Sequence, residues 1–267
     1  MQPTAEARPV SLPNQTDATA LDAAFAATGD LTTRIRLIRE ALPGRIAFST
    51  SLGLEDQAVL HAIADAKAEI DVFTLDTGRH FQETLETIAA SEDRYPLAIR
   101  LVAPEADDVQ SLTSRDGVLG FRTSIEARKA CCDVRKVRPL MKALVGAAGW
   151  ITGLRREQAA SRNAAPFAEF DAGQGIIKLN PIADWSLTQL EAYIASHNIP
   201  VNPLHARGFP SIGCAPCTRA IRPGEDIRAG RWWWEAENTA FSALGDQKEC
   251  GLHNRPKTQP KSQDARS

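Results

Sequence analysis

Two pairs of cysteines, Cys131-Cys132 and Cys214-Ala215-Pro216-Cys217, oblige distant parts of this chain to meet if they serve one metal site. Cysteines three apart set two thiolates on one side of a tight turn, and Pro216 between them stiffens that turn. Side chains on neighbouring residues diverge, so the vicinal pair closes poorly on one small tetrahedral ion. A cubane cluster offers separate iron corners to both pairs. The spacing therefore favours a 4Fe-4S cluster over zinc, with Cys131, Cys132, Cys214 and Cys217 as ligands. A redox dithiol at Cys214/Cys217 beside two buried core cysteines is the plainer alternative, and it leaves the coincidence of two pairs unexplained.

The strands and helices needed to bring the pairs together are legible in the pattern. Helical spacing runs from Leu21 to Leu42, where Pro43-Gly44 ends it. Strands are expected at Arg45 to Ser49, Ile70 to Leu75, Leu97 to Val102, Trp150 to Thr152 and Ile176 to Leu179. Helices are expected at Glu55 to Ala68, Thr84 to Ala90 and Leu187 to Ser196, the last with Trp185 and Leu190 in the core. A further helix carries Cys131-Cys132, with an apolar stripe of Val134, Val137, Met141 and Leu144 and a bend at Pro139. Such alternation predicts an α/β fold with a doubly wound, mostly parallel sheet, whose ligands bind beyond the carboxyl ends of the strands.

Those strand ends hold candidate site residues. Ser49, Ser51 and Gly53 precede a helix N-terminus, a setting that suits an anion and equally suits an ordinary helix cap. Leu75 ends the next strand, where His80 reads as a solvent-facing turn residue. Gly153, Arg155, Arg156 and Arg162 follow another strand, and guanidinium groups there match phosphate or sulfate oxygens. Lys136 lies one helical turn beyond Cys132, placed to offset the negative charge of a four-thiolate cluster. Arg228 and Arg231 add positive charge beside Trp232-Trp233-Trp234. The fifth cysteine, Cys250, has Glu249, Gly251 and His253 around it and reads as an exposed thiol whose ionised form is nucleophilic.

Composition narrows the classes. A net charge of -2 gives no overall pull toward nucleic acid, and no apolar run approaches the length of a membrane span. Five cysteines among 267 residues are too few and too odd in number for a disulfide framework, so a reducing, cytoplasmic setting is expected. Residues 1–20 read as a disordered tail, 21–235 as the folded domain with both cysteine pairs, and 236–267 as a mobile segment carrying Cys250.

Taken together, the cysteine pairs, Gly213-Cys214-Ala215-Pro216-Cys217-Thr218-Arg219, Arg231-Trp232-Trp233-Trp234-Glu235 and Glu249-Cys250-Gly251-Leu252-His253 resemble the adenylyl-sulfate (APS) and phosphoadenylyl-sulfate (PAPS) reductases. The resemblance runs from about Arg45 to His253. It implies an adenine nucleotide alpha-hydrolase-like fold, with Ser49, Ser51 and Gly53 where related enzymes carry a pyrophosphatase loop. It implies thioredoxin-dependent reduction of APS to sulfite and AMP in sulfate assimilation and cysteine biosynthesis, with reduced thioredoxin or glutaredoxin as donor. All four cluster cysteines are present, which in the family marks a preference for APS over PAPS. Cys250 would be the nucleophile, with Lys136, Arg228, Arg231 and His253 as its electrostatic company and Arg155, Arg156 and Arg162 on the phosphosulfate. A PAPS or dual-specificity reductase, a tRNA-thiolating enzyme of the same superfamily and a zinc-stapled nucleotide-binding module are the rival readings, and homo-oligomerisation is left open.

Overall fold

The computed structural model describes residues 12–159 and 162–237. Cys250, His253 and the rest of the expected C-terminal segment beyond residue 237 lie outside the described residues, as do residues 1–11.

Six strands form one sheet in the order β3-β2-β1-β4-β6-β5. They are β1 (Ile46–Thr50), β2 (Asp71–Leu75), β3 (Arg100–Val102), β4 (Gly149–Ile151), β5 (Ala168–Asp171) and β6 (Ile176–Leu179). Every pairing is parallel except that of the edge strand β5 with β6. The expected doubly wound architecture is therefore present. From β1 the chain moves outward through β2 to β3, then returns to the other side of β1 as β4. That reversal makes the β1/β4 junction the switch point, where the following loops part and leave a crevice.

Side-chain alternation along the strands builds two cores. Ile46 and Phe48 face one side, with Ile151, Ile177 and Leu179. There they meet α1 (Gln15–Ala26), α2 (Leu31–Ala41), α3 (Leu54–Ala66) and α8 (Leu187–Ser196) through Leu21, Ile35, Val59 and Leu190. Ala47, Phe73 and Trp150 face the other side, against Leu140, Ala143 and Leu144 of α7 (Arg138–Leu144). Strands buried on both faces are what helices on both sides of a parallel sheet require.

Several boundaries differ from expectation for identifiable reasons. The helix expected over Leu21 to Leu42 is two helices, because the Asp30 carboxylate accepts the Thr33 N–H at 2.7 Å and restarts the chain as a capped α2. Buried Arg34 ties the break together, donating to the carbonyls of Phe25 and Thr28 and pairing with Asp184. Helix α1 begins at Gln15 and buries Ala18 completely, so the tail boundary expected at residue 20 falls inside a packed element. In the expected Leu97 to Val102 strand only the last three residues pair with β2. Helix α4 (Gln82–Arg94) extends beyond its expected ends, while α5 (Ala106–Asp116) and β5 had no expectation.

Where a bend was expected at Pro139, the structure has a change of helix type just before that residue. Helix α6 (Ile125–Cys132) runs into a π-helical turn, Asp133–Val137, in which the Arg138 N–H reaches back to the Asp133 carbonyl. Proline clashes with the carbonyl four residues earlier, and the wider turn relieves that clash ahead of Pro139 at the start of α7. No helix among the described residues is long and apolar enough to cross a membrane.

Candidate active site

Cys131 and Cys132 end α6, and Cys214 and Cys217 flank a single 3₁₀ turn, Ala215–Cys217, stiffened by Pro216. The fold brings the two pairs together: Cys132, Cys214 and Cys217 are buried against Phe121 and Trp232, with Cys131 packed on them. The four thiols border one small hollow, rimmed by Arg79, Arg128, Arg135, Lys136 and Arg231. Four soft sulfur donors on a partly apolar, cation-ringed hollow fit the chemistry of an anionic iron-sulfur cluster. Among the described residues no three His, Cys, Asp or Glu side chains are already grouped to hold a single metal ion.

The thiols feel each other and their surroundings strongly. Burial, then the neighbouring Cys214 and Cys132, push the Cys217 thiol up to about 12 against the pull of Lys136 and Arg231. Burial also raises Cys131, with Arg79 and Arg135 opposing. Cys214 goes the other way: burial pushes it up, but Lys136, the Thr77 hydroxyl at 3.3 Å, Arg231 and Arg79 together bring the thiol below its ordinary value.

Two further hollows share lining residues with this one. The first, about 680 Å³, lies beyond β1 and β2 and is lined by Ser49, Ser51, Thr74, Leu75, Thr77, His80, Lys136 and Cys214. His80 faces inward here, with Nε2 3.1 Å from the Leu75 carbonyl oxygen, and is not the solvent-facing residue expected. Burial lowers its pKa despite nearby Asp76. The second is an open cleft of about 1560 Å³ at the β1/β4 switch point, bordered by Ser51, Gly53, Gly153, Arg155, Arg162, Arg228 and Arg231. Lys136 borders all three spaces.

The cleft walls are built by close approach of two loops. A Cβ on Gly153 would lie 2.2 Å from Asp56 Oδ1, so only glycine lets the chain after β4 pass the start of α3. Asp56 Oδ2 accepts both the backbone N–H of Ser51 at 2.5 Å and its hydroxyl at 2.6 Å. Burial raises the Asp56 carboxyl to about 6, with these hydrogen bonds acting against it. Leu52, directly after Ser51, holds a left-handed φ of 61° and is 1% exposed. Across the cleft, a Cβ on Gly213 would fall 2.3 Å from the Arg231 guanidinium, which lies over Trp232 at 4.8 Å.

The expected basic residues divide. Lys136, Arg162, Arg228 and Arg231 line the cleft. Arg155 also reaches it, but its guanidinium is committed to Glu55 through bonds of 3.0 and 2.9 Å and to the Trp185 carbonyl. Arg156 is not brought to the cleft: its Nε donates to the Ala165 carbonyl at 2.8 Å and its head lies over Phe167. Residues that sequence reasoning passed over include Asp56, Thr77, Arg79, Arg135 and His205. His205 lines the cleft wall with Nδ1 on the Phe209 carbonyl, and burial lowers its pKa.

The phosphoadenosine phosphosulfate reductase domain model matches residues 45–220, from β1 through both cysteine pairs. The chain belongs to this family. Among curated relatives it is 53% identical to the adenosine 5'-phosphosulfate reductase of Agrobacterium fabrum, covering 89% of this chain and 87% of that protein. It is 51% identical to the protein of the same name from Allochromatium vinosum, covering 79% of each. Among solved structures, the phosphoadenylyl-sulfate reductase of Candida auris in a phosphate complex superposes with a TM-score of 0.65. At 24% identity, over 80% of this chain and 100% of that one, this likeness shows the reductase family's fold.

Proposed function

We propose that the protein reduces adenosine 5'-phosphosulfate to sulfite and AMP, with reduced thioredoxin or glutaredoxin as donor, in assimilatory sulfate reduction. Close relatives bear that activity in their names. The observation that carries the reading is that a four-thiol hollow and a cation-lined switch-point cleft share Lys136 and Arg231 as lining residues.

The nucleotide would lie across the β1/β4 junction, its phosphosulfate toward Lys136, Arg228 and Arg231. Cys250 is the nucleophile in this reading. Its thiolate attacks the sulfonyl sulfur, an S–S bond forms, the S–O bond to phosphate breaks, and AMP leaves with the electron pair. A donor thiolate then attacks the Cys250 sulfur and expels sulfite, and the donor's second thiol resolves the mixed disulfide, so two electrons pass from the dithiol. An anion attacking an anion needs compensating positive charge, which Lys136, Arg228 and Arg231 supply and His253 assists. Cys131, Cys132, Cys214 and Cys217 would hold the 4Fe-4S cluster. When bound, it supplies a structural clasp and fixed charge beside the sulfate.

An anaerobic assay for sulfite from APS with reduced thioredoxin tests the proposal, run beside an iron and sulfide count. Sulfite at a rate far above that from PAPS is expected. Absence of sulfite from protein that carries iron and binds AMP would refute the reaction, and a colourless protein with one zinc per chain would refute the cluster.

A further inference from the structure

The end of β1 and the loop after it carry two serines, Ser49 and Ser51, whose hydroxyls are held in opposite senses. Ser49 lies on the face of β1 that Ala47 shares, and Ala47 pairs in register with Trp150 on β4. The Trp150 indole N–H donates to Ser49 Oγ at 2.8 Å. An indole nitrogen donates and cannot accept, so the direction of this bond is fixed. Trp150 is 6% exposed, and the Lys178 ammonium lies 5.4 Å from its ring centroid, so the indole has little freedom to turn away. With its oxygen accepting from Trp150, Ser49 keeps a hydrogen to give, and among the described residues no protein acceptor takes it. Ser51 is the reverse. Its hydroxyl hydrogen and its backbone N–H both go to Asp56 Oδ2, which leaves its oxygen as an acceptor.

We propose that Trp150 is a positioning residue that sets Ser49 as the loop's hydroxyl donor to the phosphate of the bound nucleotide, while Asp56 commits Ser51 as an acceptor. The proposal rests on the reading of the cleft as an adenosine phosphosulfate site and assigns the polarity of its two serines. A loop of hydroxyls before a helix looks uniformly suited to an anion. Here the carboxylate of Asp56 already occupies the donors of Ser51, and Ser49 alone of the pair offers a hydrogen to the space it shares with Lys136.

Calorimetric titration with AMP and with adenosine separates the phosphate contact from the nucleoside contacts. Trp150→Phe keeps a ring in the core and deletes the N–H. Because a hydrogen bond to a charged group is worth more than one between neutral groups, losing the orientation of Ser49 should weaken AMP about threefold to tenfold and leave adenosine within about twofold. Ser49→Ala should weaken AMP at least as much, and the double variant should be no weaker than Ser49→Ala alone, since the two act through one hydrogen. Ser51→Ala should shift AMP and adenosine alike. Thermal midpoints read alongside register loosened packing. Equal loss of both ligands in Trp150→Phe, or additive losses in the double variant, would overturn the proposal while leaving the site reading standing. A wild-type protein that binds neither ligand would refute the site reading, and this assignment with it.

Discussion

Replacing Glu235 with alanine should destabilise the protein by about 3–5 kcal/mol, the usual cost of stripping one partner from a buried ion pair. Glu235 lies in the first turn of α9 (Trp233–Glu237), the described element nearest in sequence to Cys250, and its carboxylate meets Arg128 of α6 at 2.5 and 3.4 Å. The two side chains are 1% and 9% exposed, so solvent does little to screen the pair. Without the carboxylate, buried Arg128 loses this ion pair and keeps its remaining contacts, among them the face of Trp232 at 4.3 Å. A cation on an aromatic face retains about 0.5–2 kcal/mol, which holds the loss toward the lower end of that range. For a chain of this size each kcal/mol moves the thermal midpoint about 2–4 °C, so a fall on the order of 6–20 °C is expected. Thermal unfolding of wild type, Glu235→Ala and the double variant Arg128→Met/Glu235→Leu checks it. An apolar pair of similar volume removes the buried charge together with its lost partner, so the double variant should regain most of the loss. A single variant within about 1 kcal/mol of wild type, or a double variant as unstable as the single, would refute the electrostatic argument.

Cys250→Ser should keep the brown colour and abolish sulfite release, checked by absorbance and single-turnover sulfite assay. Cys214→Ser should lose the visible absorbance together with its iron. Gly153→Ala drives a Cβ into Asp56 Oδ1 at 2.2 Å and the Asp56 backbone nitrogen at 3.1 Å, and the backbone atom cannot step aside. A cost of about 1–3 kcal/mol and a raised KM for APS are expected from melts and steady-state rates. Burial lowers the pKa of His61, His80 and His205 from the ordinary 6.5, so below that value the unfolded chain takes up protons first and stability falls as pH drops. Asp56, raised from 3.8 to about 6, acts oppositely, since its folded form holds the proton longer and stability rises as pH falls through that window. Melts between about pH 7.5 and about pH 6 should therefore show the histidine slope, and His61→Phe should flatten it.

What the chain disclosed in advance was whatever local pattern dictates. Strands β1, β2 and β6 and helix α8 are short blocks of apolar periodicity between clear turn signals, and they stand within a residue or so of expectation. Misplaced boundaries trace to groups that act across the sequence. The α1/α2 break depends on Arg34 meeting Asp184, and β5 exists through its pairing with β6. The cysteine pairs were legible because thiols are few and their spacing is chemical. Arginines are many, and sequence could not tell Arg156, turned onto Phe167, from Arg162 on the cleft. Asp56 had no expected role, and Trp150 was read only as the start of a strand. Their partners Ser51 and Ser49 give them their significance, and the second of these lies on another strand.

The π turn between α6 and α7 joins the two halves of the site into one device. A regular helix through residues 125–144 would carry Cys131-Cys132 and Lys136 on a straight rod against the sheet. The wider turn at Asp133–Val137 instead lets α7 lie on the sheet through Leu140, Ala143 and Leu144 while α6 turns its cysteines toward Cys214 and Cys217. Arg135, inside that turn, donates to the Thr77 carbonyl at 2.7 Å and pins it to the loop after β2. The neighbouring Thr77 hydroxyl in turn meets the Cys214 sulfur. Lys136, the next residue, is thereby held where the thiol cavity, the β1/β2 hollow and the switch-point cleft adjoin. A lysine with rotational freedom would serve any one of these spaces. One carried on a pinned π turn presents its charge at their junction, which is where the proposed reaction would need a cation between an attacking thiolate and a sulfonyl group.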